Sequence, residues 1–225
     1  MNASRVEVVL TSLYCIPGLG ASPAIFSRLK LNHAEIRAVK CPTPQAQESI
    51  AKYASLLATQ IDWSRPPILL GHSFGGILAI EIAAQRPVGK LILVSSVKHR
   101  RELPWYGRAI GSLRLHRLAP LSLQERSLKL SEYLNGIETE DELDMLRSML
   151  AERDIGLLKW SIEQVLTWRG QDIPQDVVQI HGTADRLIPA RFVKPDIWVE
   201  GGTHFMIVSR APEISRLLDQ IVLAV

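Results

Sequence analysis

Ile68-Leu69-Leu70-Gly71-His72-Ser73-Phe74-Gly75-Gly76-Ile77-Leu78-Ala79 joins a short apolar run to a helix-prone run through a Gly-x-Ser-x-Gly pattern. A serine on a tight strand-to-helix turn presents its hydroxyl to the open. Gly71 and Gly75 suit that turn because strand and helix pass close together, where side chains would collide. The following helix aims free N–H groups and a positive dipole end at any oxyanion formed beside Ser73. The pattern alone is weak, since glycine and serine are common. The strand before it and the helix after it supply the context that a nucleophile elbow requires.

Upstream, residues 6–16 are apolar and β-branched, which predicts a strand, and Pro17-Gly18-Leu19-Gly20 breaks it. Ser22 reads as an N-cap with Pro23 at the first helical position, opening a short helix through Phe26 and Leu29. Residues 35–40 predict a second strand. Ile50, Tyr53, Ala54, Leu57, Ala58 and Ile61 recur at helical spacing over residues 49–61. Pro66-Pro67 restarts the chain as the strand that ends in the elbow. The elbow helix runs from Phe74 to about residue 85, and residues 90–95 form a fourth strand, apolar on both faces. Such runs alternating with helices predict an α/β fold with a doubly wound, mainly parallel sheet covered on both sides.

The alternation stops at Ser96. Residues 97–171 show no strand pattern. Ser122-Leu123-Gln124-Glu125 and Thr139-Glu140-Asp141-Glu142 read as capping boxes, Asp154 as the cap of a helix running to Trp168, and residues 105–115 as a further helix. The block is too long for a crossover helix. It reads as a helical lid inserted into a core made of residues 1–96 and 172–225. Strands resume over 177–181 and 196–199, and a helix over 212–222 follows, with Ile214, Leu217, Leu218 and Ile221 facing the core.

The chain of 225 residues is 47% apolar and carries a formal charge of +3, which suits one large α/β domain and gives no reason to expect nucleic acid as a partner. No apolar run approaches the roughly 18 residues of a membrane span. Glu7 interrupts the N-terminal apolar run and no small-residue cleavage site follows, so a signal peptide is not expected. Cys15 and Cys41 are too few for a disulfide framework, and free thiols in a cytoplasmic protein are expected. No Cys/His cluster suggests a metal, and no cofactor is expected.

Serine is a poor nucleophile at neutral pH. It needs a base to take its proton and a third group to orient that base. In a parallel sheet such groups lie just beyond the carboxyl ends of strands. Asp185 and His204 follow the two late strands, in the chain order Ser, Asp, His that nucleophile-elbow enzymes use. The alternatives are weaker: Asp172 and Asp176 precede their strand, His72 sits within the elbow, and His181 is still within a strand. An oxyanion hole needs two fixed backbone donors. Phe74, next after the serine, offers one, and Leu19 in the loop after the first strand is the candidate for the other.

Pro17-Gly18-Leu19-Gly20, Gly71-His72-Ser73-Phe74-Gly75-Gly76, His181-Gly182-Thr183-Ala184-Asp185 and Gly202-Thr203-His204-Phe205 together resemble the α/β-hydrolase superfamily over essentially the whole chain. The resemblance implies that fold and a Ser73–His204–Asp185 triad. Two departures stand out. Many relatives carry His-Gly where this chain has Pro17-Gly18, and the first antiparallel strands of larger members have no counterpart here. A serine nucleophile separates the chain from the dehalogenase and epoxide-hydrolase branches.

These features predict a serine hydrolase of carboxylic esters or thioesters. A lyase or acyl transferase on the same site, or a weakly catalytic small-molecule receptor, remain alternatives that a panel of short-chain p-nitrophenyl esters discriminates. Lys98, Arg100, Arg101, Arg108, Arg114 and Arg117 face the single acid Glu102 in one stretch, interleaved with Trp105, Tyr106, Leu113 and Leu115. That pattern is either a solvated helix face or a docking surface for an acidic partner. In the second reading Arg100, Arg101, Arg108, Trp105 and Tyr106 are substrate-binding candidates, and an acyl carrier protein presents the substrate. The layout is similar to that of biotin-pathway methyl esterases.

Overall fold

The structure is a computed structural model that describes residues 10–112, 124–173 and 176–224, with the side chains of 108, 110–112 and 124–127 outside it. Six strands form one sheet: β1 (Thr11–Ile16), β2 (Ala34–Ala38), β3 (Ile68–His72), β4 (Lys90–Val94), β5 (Val177–Gly182) and β6 (Ile197–Val199). Their order is β2-β1-β3-β4-β5-β6, and every pairing is parallel. The chain leaves β1 outward to β2, then returns to lay β3 on the other side of β1. That reversal opens a crevice beyond the carboxyl ends of β1 and β3, where open α/β sheets bind their ligands.

Leu69, Leu70, Leu91, Ile92, Leu93 and Val94 are fully buried, because helices cover both faces of the central strands. On one face lie α1 (Ile50–Ala58) and α2 (Phe74–Ala83); on the other lie α7 (Met206–Ser209) and α8 (Ala211–Leu223). Ser49 caps α1 through the Lys52 N–H. The nine residues from Phe74 to Ile82 are all buried, so α2 is apolar almost all round, the pattern of a helix covered on every side. On α8, Ile214, Leu218 and Val222 recur on the buried face. Asp219 on the same helix accepts from the Asn32 and His33 N–H groups and fixes the turn into β2.

Between β4 and β5 the described residues contain only helices: α3 (Trp105–Ser112), α4 (Gln124–Asn135), α5 (Glu140–Glu152) and α6 (Ile155–Thr167), plus a short 3-10 turn at Arg100–Glu102. Thr139 caps α5 through the Glu142 N–H, and Asp154 caps α6 through the Leu157 N–H. The Glu142 carboxylate reaches the Glu138 N–H rather than that of Thr139, so the expected box is shifted by one residue.

The expected elements need small corrections. The first strand is seen from Thr11, and residues 6–9 lie outside the described residues. The helix after Ser22 is a single 3-10 turn, Pro23–Phe26, that ends before Leu29. Ser122 and Leu123, Leu113 to Arg117 and the Arg108 side chain also lie outside the described residues. Cys15 and Cys41 are free. No helix among the described residues is long and apolar enough to cross a membrane.

Candidate active site

β3 ends at His72 and α2 begins at Phe74, so the whole turn is Ser73, whose backbone sits at φ 53° and ψ −122°. A non-glycine residue holds that conformation only where the surroundings over-determine it. They do so here. Gly76 N–H donates to the Ser73 carbonyl at 2.9 Å, and the Ser96 hydroxyl donates to the same oxygen at 2.6 Å. A methyl group on Gly71 would fall 2.3 Å from the Gly76 Cα, and one on Gly75 2.1 Å from the Ile16 carbonyl oxygen. Strand, turn and helix close together only with both positions bare.

His204 lies in the loop between β6 and α7. Its Nε2 is 2.9 Å from Ser73 Oγ and its Nδ1 is 2.8 Å from Asp185 Oδ2. The carboxylate accepts the Nδ1 proton, which leaves the Nε2 lone pair facing the serine hydroxyl. Asp185 follows β5, and its other oxygen accepts from the Leu187 and Ile188 N–H groups at 2.9 and 2.8 Å. Burial works against that carboxylate, but the facing His204, then His181 and the Ile188 N–H, outweigh it and hold its pKa below the usual range. Asp185 therefore stays charged.

Two further histidines brace this group. His72 Nε2 donates to the His204 carbonyl at 3.2 Å, and burial pushes its pKa down to about 3, helped by the facing His204. His181 Nε2 donates to the Ile188 carbonyl at 2.8 Å and stands 3.4 Å from Asp185 Oδ2; burial lowers its pKa as well. Both rings are neutral. Sequence reasoning set both aside and missed their contacts. Nothing in the spacing of His72 signals a partner 132 residues away, and His181 reaches Ile188 and Asp185 only because the chain folds back after β5.

The loop after β1 faces the serine across the crevice. A methyl group on Gly18 would lie 2.9 Å from Ser73 Cβ, so the loop approaches as closely as backbone allows. Its turn bond runs from Ala21 N–H to the Gly18 carbonyl, and the Leu19 N–H takes no part in it. As the first residue of α2, Phe74 has no acceptor for its N–H in its own helix. Leu19, Ser73, Phe74 and His204 all line one cavity of about 500 Å³. Its walls are apolar, with Ile77, Leu146 and Val165 among them.

Of the other residues singled out in the sequence, Tyr106 lines this cavity, while Trp105 is 63% exposed and does not. Arg100 donates to the Trp168 carbonyl and lies outside the cavity wall, as does the exposed Arg101. Lys98 is paired with Asp196 at 3.2 Å. The Tyr106 ring meets Phe192, and Arg191 lies over that ring at 4.8 Å. Arg191 and Phe192 were missed, because they come from the turn after β5, some 85 residues from Tyr106 in sequence.

A parallel six-stranded sheet with a serine on a strained turn after β3 defines the class as an α/β-hydrolase. Residues 11–221 match the thioesterase domain family, and the chain belongs to it. It is an ester- or thioester-hydrolysing enzyme. Similar solved structures share the fold at low identity. A thermophilic esterase is 15% identical, covering 94% of this chain and 89% of its own, with a TM-score of 0.71. ClbQ from the colibactin NRPS/PKS pathway is 18% identical, covering 96% and 98%, at 0.64. A lipase-esterase related protein from Clostridium acetobutylicum ATCC 824 is 17% identical, covering 96% of each, at 0.63. No curated protein matches the chain.

Proposed function

We propose that the chain hydrolyses an acyl ester or thioester by way of an acyl-enzyme on Ser73. The observation that carries this reading is the unbroken line from Ser73 Oγ through His204 to Asp185, with both hydrogen bonds under 3 Å, at the floor of an apolar cavity. Ser73 Oγ attacks the carbonyl carbon while His204 Nε2 takes its proton. Asp185 holds the Nδ1–H tautomer and stabilises the charged ring. The Leu19 and Phe74 N–H groups receive the negative oxygen of the tetrahedral intermediate, with the α2 dipole behind them. His204 returns its proton to the leaving alcohol or thiol. A water molecule then attacks the acyl carbon while giving a proton to His204, and His204 returns that proton to Ser73 Oγ as the Oγ–carbon bond breaks and the acid leaves.

Residues 97–171 serve in this reading as a lid that supplies the cavity roof. The substrate is an acyl chain presented by an acidic carrier protein, and Arg101, Trp105, Tyr106, Phe192 and Arg191 form the docking rim. The family and the apolar wall support the acyl chain; the basic and aromatic rim supports the carrier.

Ser73→Ala tests the reaction. The protein should fold as before, yet lose ester hydrolysis by several orders of magnitude and lose all labelling by a fluorophosphonate probe. Asp185→Asn should cost about as much as a wrong His204 tautomer does, roughly 10⁴-fold in kcat. Full activity in Ser73→Ala, or a larger loss in Asp176→Asn than in Asp185→Asn, would sink the assignment.

A further inference from the structure

Among the described residues that line the cavity, one side chain carries a permanent charge: Arg153. It follows the last turn of α5 and stands between Leu150 on that helix and Leu158 on α6, both cavity residues. Leu158 in turn lies against Gly20 in the loop after β1. Arg153 is half-buried.

Among the described residues no carboxylate answers it. Asp154, its neighbour, is turned away to cap α6 through the Leu157 N–H and to accept the Thr43 hydroxyl. Glu152 accepts from the Ser148 hydroxyl. Among the described residues no ion pair or hydrogen bond is made by the Arg153 side chain. Other cations that the fold draws out of water are treated differently. Lys90 and Lys98 have side chains only 16% and 13% exposed, and each is paired, with Asp176 at 3.4 Å and with Asp196 at 3.2 Å. A cation on an apolar wall loses hydration, and that loss is recovered only when an anion meets it.

We infer that Arg153 binds an oxyanion of the substrate, a carboxylate or a phosphoester, while the acyl chain lies on the apolar wall and its carbonyl reaches Ser73. This rests on the reading of Ser73 as the reacting serine. The planar guanidinium offers two parallel N–H donors, the match for either oxyanion. Two parts of an acyl substrate carry one: the far end of an ω-carboxyacyl chain, and the thiol arm of a phosphopantetheine. Arg153 makes and breaks no bond in the reaction. It sets which substrates are held long enough to react.

Two substrate pairs separate the sources. The mono-p-nitrophenyl ester of adipic acid differs from p-nitrophenyl hexanoate only in a terminal carboxylate in place of the methyl group. Hexanoyl pantetheine against hexanoyl 4′-phosphopantetheine adds only a phosphoester. The wild-type enzyme should prefer the anionic member of one pair in kcat/KM. Arg153→Met, which keeps the stem and loses the charge, should cut that preference tenfold or more, mainly through KM, and Arg153→Lys should restore part of it. The same four compounds titrated into Ser73→Ala by calorimetry should show the same preference in Kd and the same loss when Arg153→Met is added. Absence of turnover by the wild type would refute the reacting serine, while the Kd ratios still decide Arg153. No preference for either anion, or an equal loss on both members of both pairs in Arg153→Met, overturns the inference.

Discussion

Ser73, Asp185 and His204 each come shortly after a strand, and the carboxyl edge of a parallel sheet gathers such positions whatever separates them in the chain. The residues that brace them follow no such rule. Ser96 holds the Ser73 carbonyl, and His72 and His181 hold the His204 and Ile188 carbonyls, each through a contact that only the folded chain creates. The two neutral histidines carry a consequence for stability. The unfolded His72 takes up a proton near pH 6.5, whereas in the fold its pKa lies at about 3. Between those values the unfolded chain binds a proton that the folded chain refuses, so stability rises with pH and is lost as acid is added. His181, lowered by burial, has the same sign. Asp185 and Asp219, both below the carboxylate range, also favour the fold above their unfolded pKa, but their contribution starts to fade only near pH 4 to 5. The first acid loss, between about pH 6 and 5, therefore belongs to the histidines, at up to about 1.4 kcal/mol per pH unit for each proton. Urea unfolding of His72→Gln should show a clearly smaller slope than the wild type in that window. An unchanged slope would mean that His72 is protonated in the fold.

Periodicity and caps found the long elements to within a few residues, because burial on one face leaves a period and a helix start leaves a cap. α7 escaped detection: four residues hold no period. The anchors of the helical segment also escaped, since each end ties a polar side chain to one from a distant element. At its start, Glu102 accepts from the Lys98 N–H at 2.7 Å and from the buried Gln179 at 3.2 Å. At its end, Trp168 Nε1 donates to Glu81 at 2.8 Å, and Gln171 reaches the same carboxylate at 3.3 Å. Glu81 sits in the last turn of the otherwise apolar α2 and is 2% exposed, so these donors are what make its burial tolerable. Trp168→Phe keeps an aromatic body and leaves one carboxylate oxygen without its donor. It should cost about 1–3 kcal/mol, read from the urea midpoint. Glu81→Leu in the Trp168→Phe background should recover most of that loss, because both polar partners are then gone. Equal destabilisation by the single and double variants would show that Trp168 acts through packing alone.

At the scale of the whole molecule, the strand order explains why the site and the rim lie together. The reversal between β1 and β3 opens the crevice that holds Leu19 and Ser73, and the helices between β4 and β5 return to the same edge of the sheet. The basic and aromatic stretch of residues 98–117 was legible as a pattern, but its charges divide once folded: Lys98 is neutralised by Asp196 and Arg100 is tied to the Trp168 carbonyl. Arg101 and Trp105 are left exposed, and Arg191 joins from the turn after β5 through Phe192 and Tyr106. If a carrier docks on this rim, attraction acts over a distance of about 8–10 Å at moderate salt and fades as salt rises. kcat/KM for an acyl chain on an acidic carrier should then fall steeply between 50 and 500 mM salt (roughly tenfold or more, as for steered association), whereas a small neutral ester should be little affected. Arg101→Glu and Arg191→Glu should each weaken the carrier substrate at low salt and flatten its salt dependence, with the small ester unchanged. Parallel curves for the two substrates would leave the rim as ordinary charged surface and the carrier as the wrong partner.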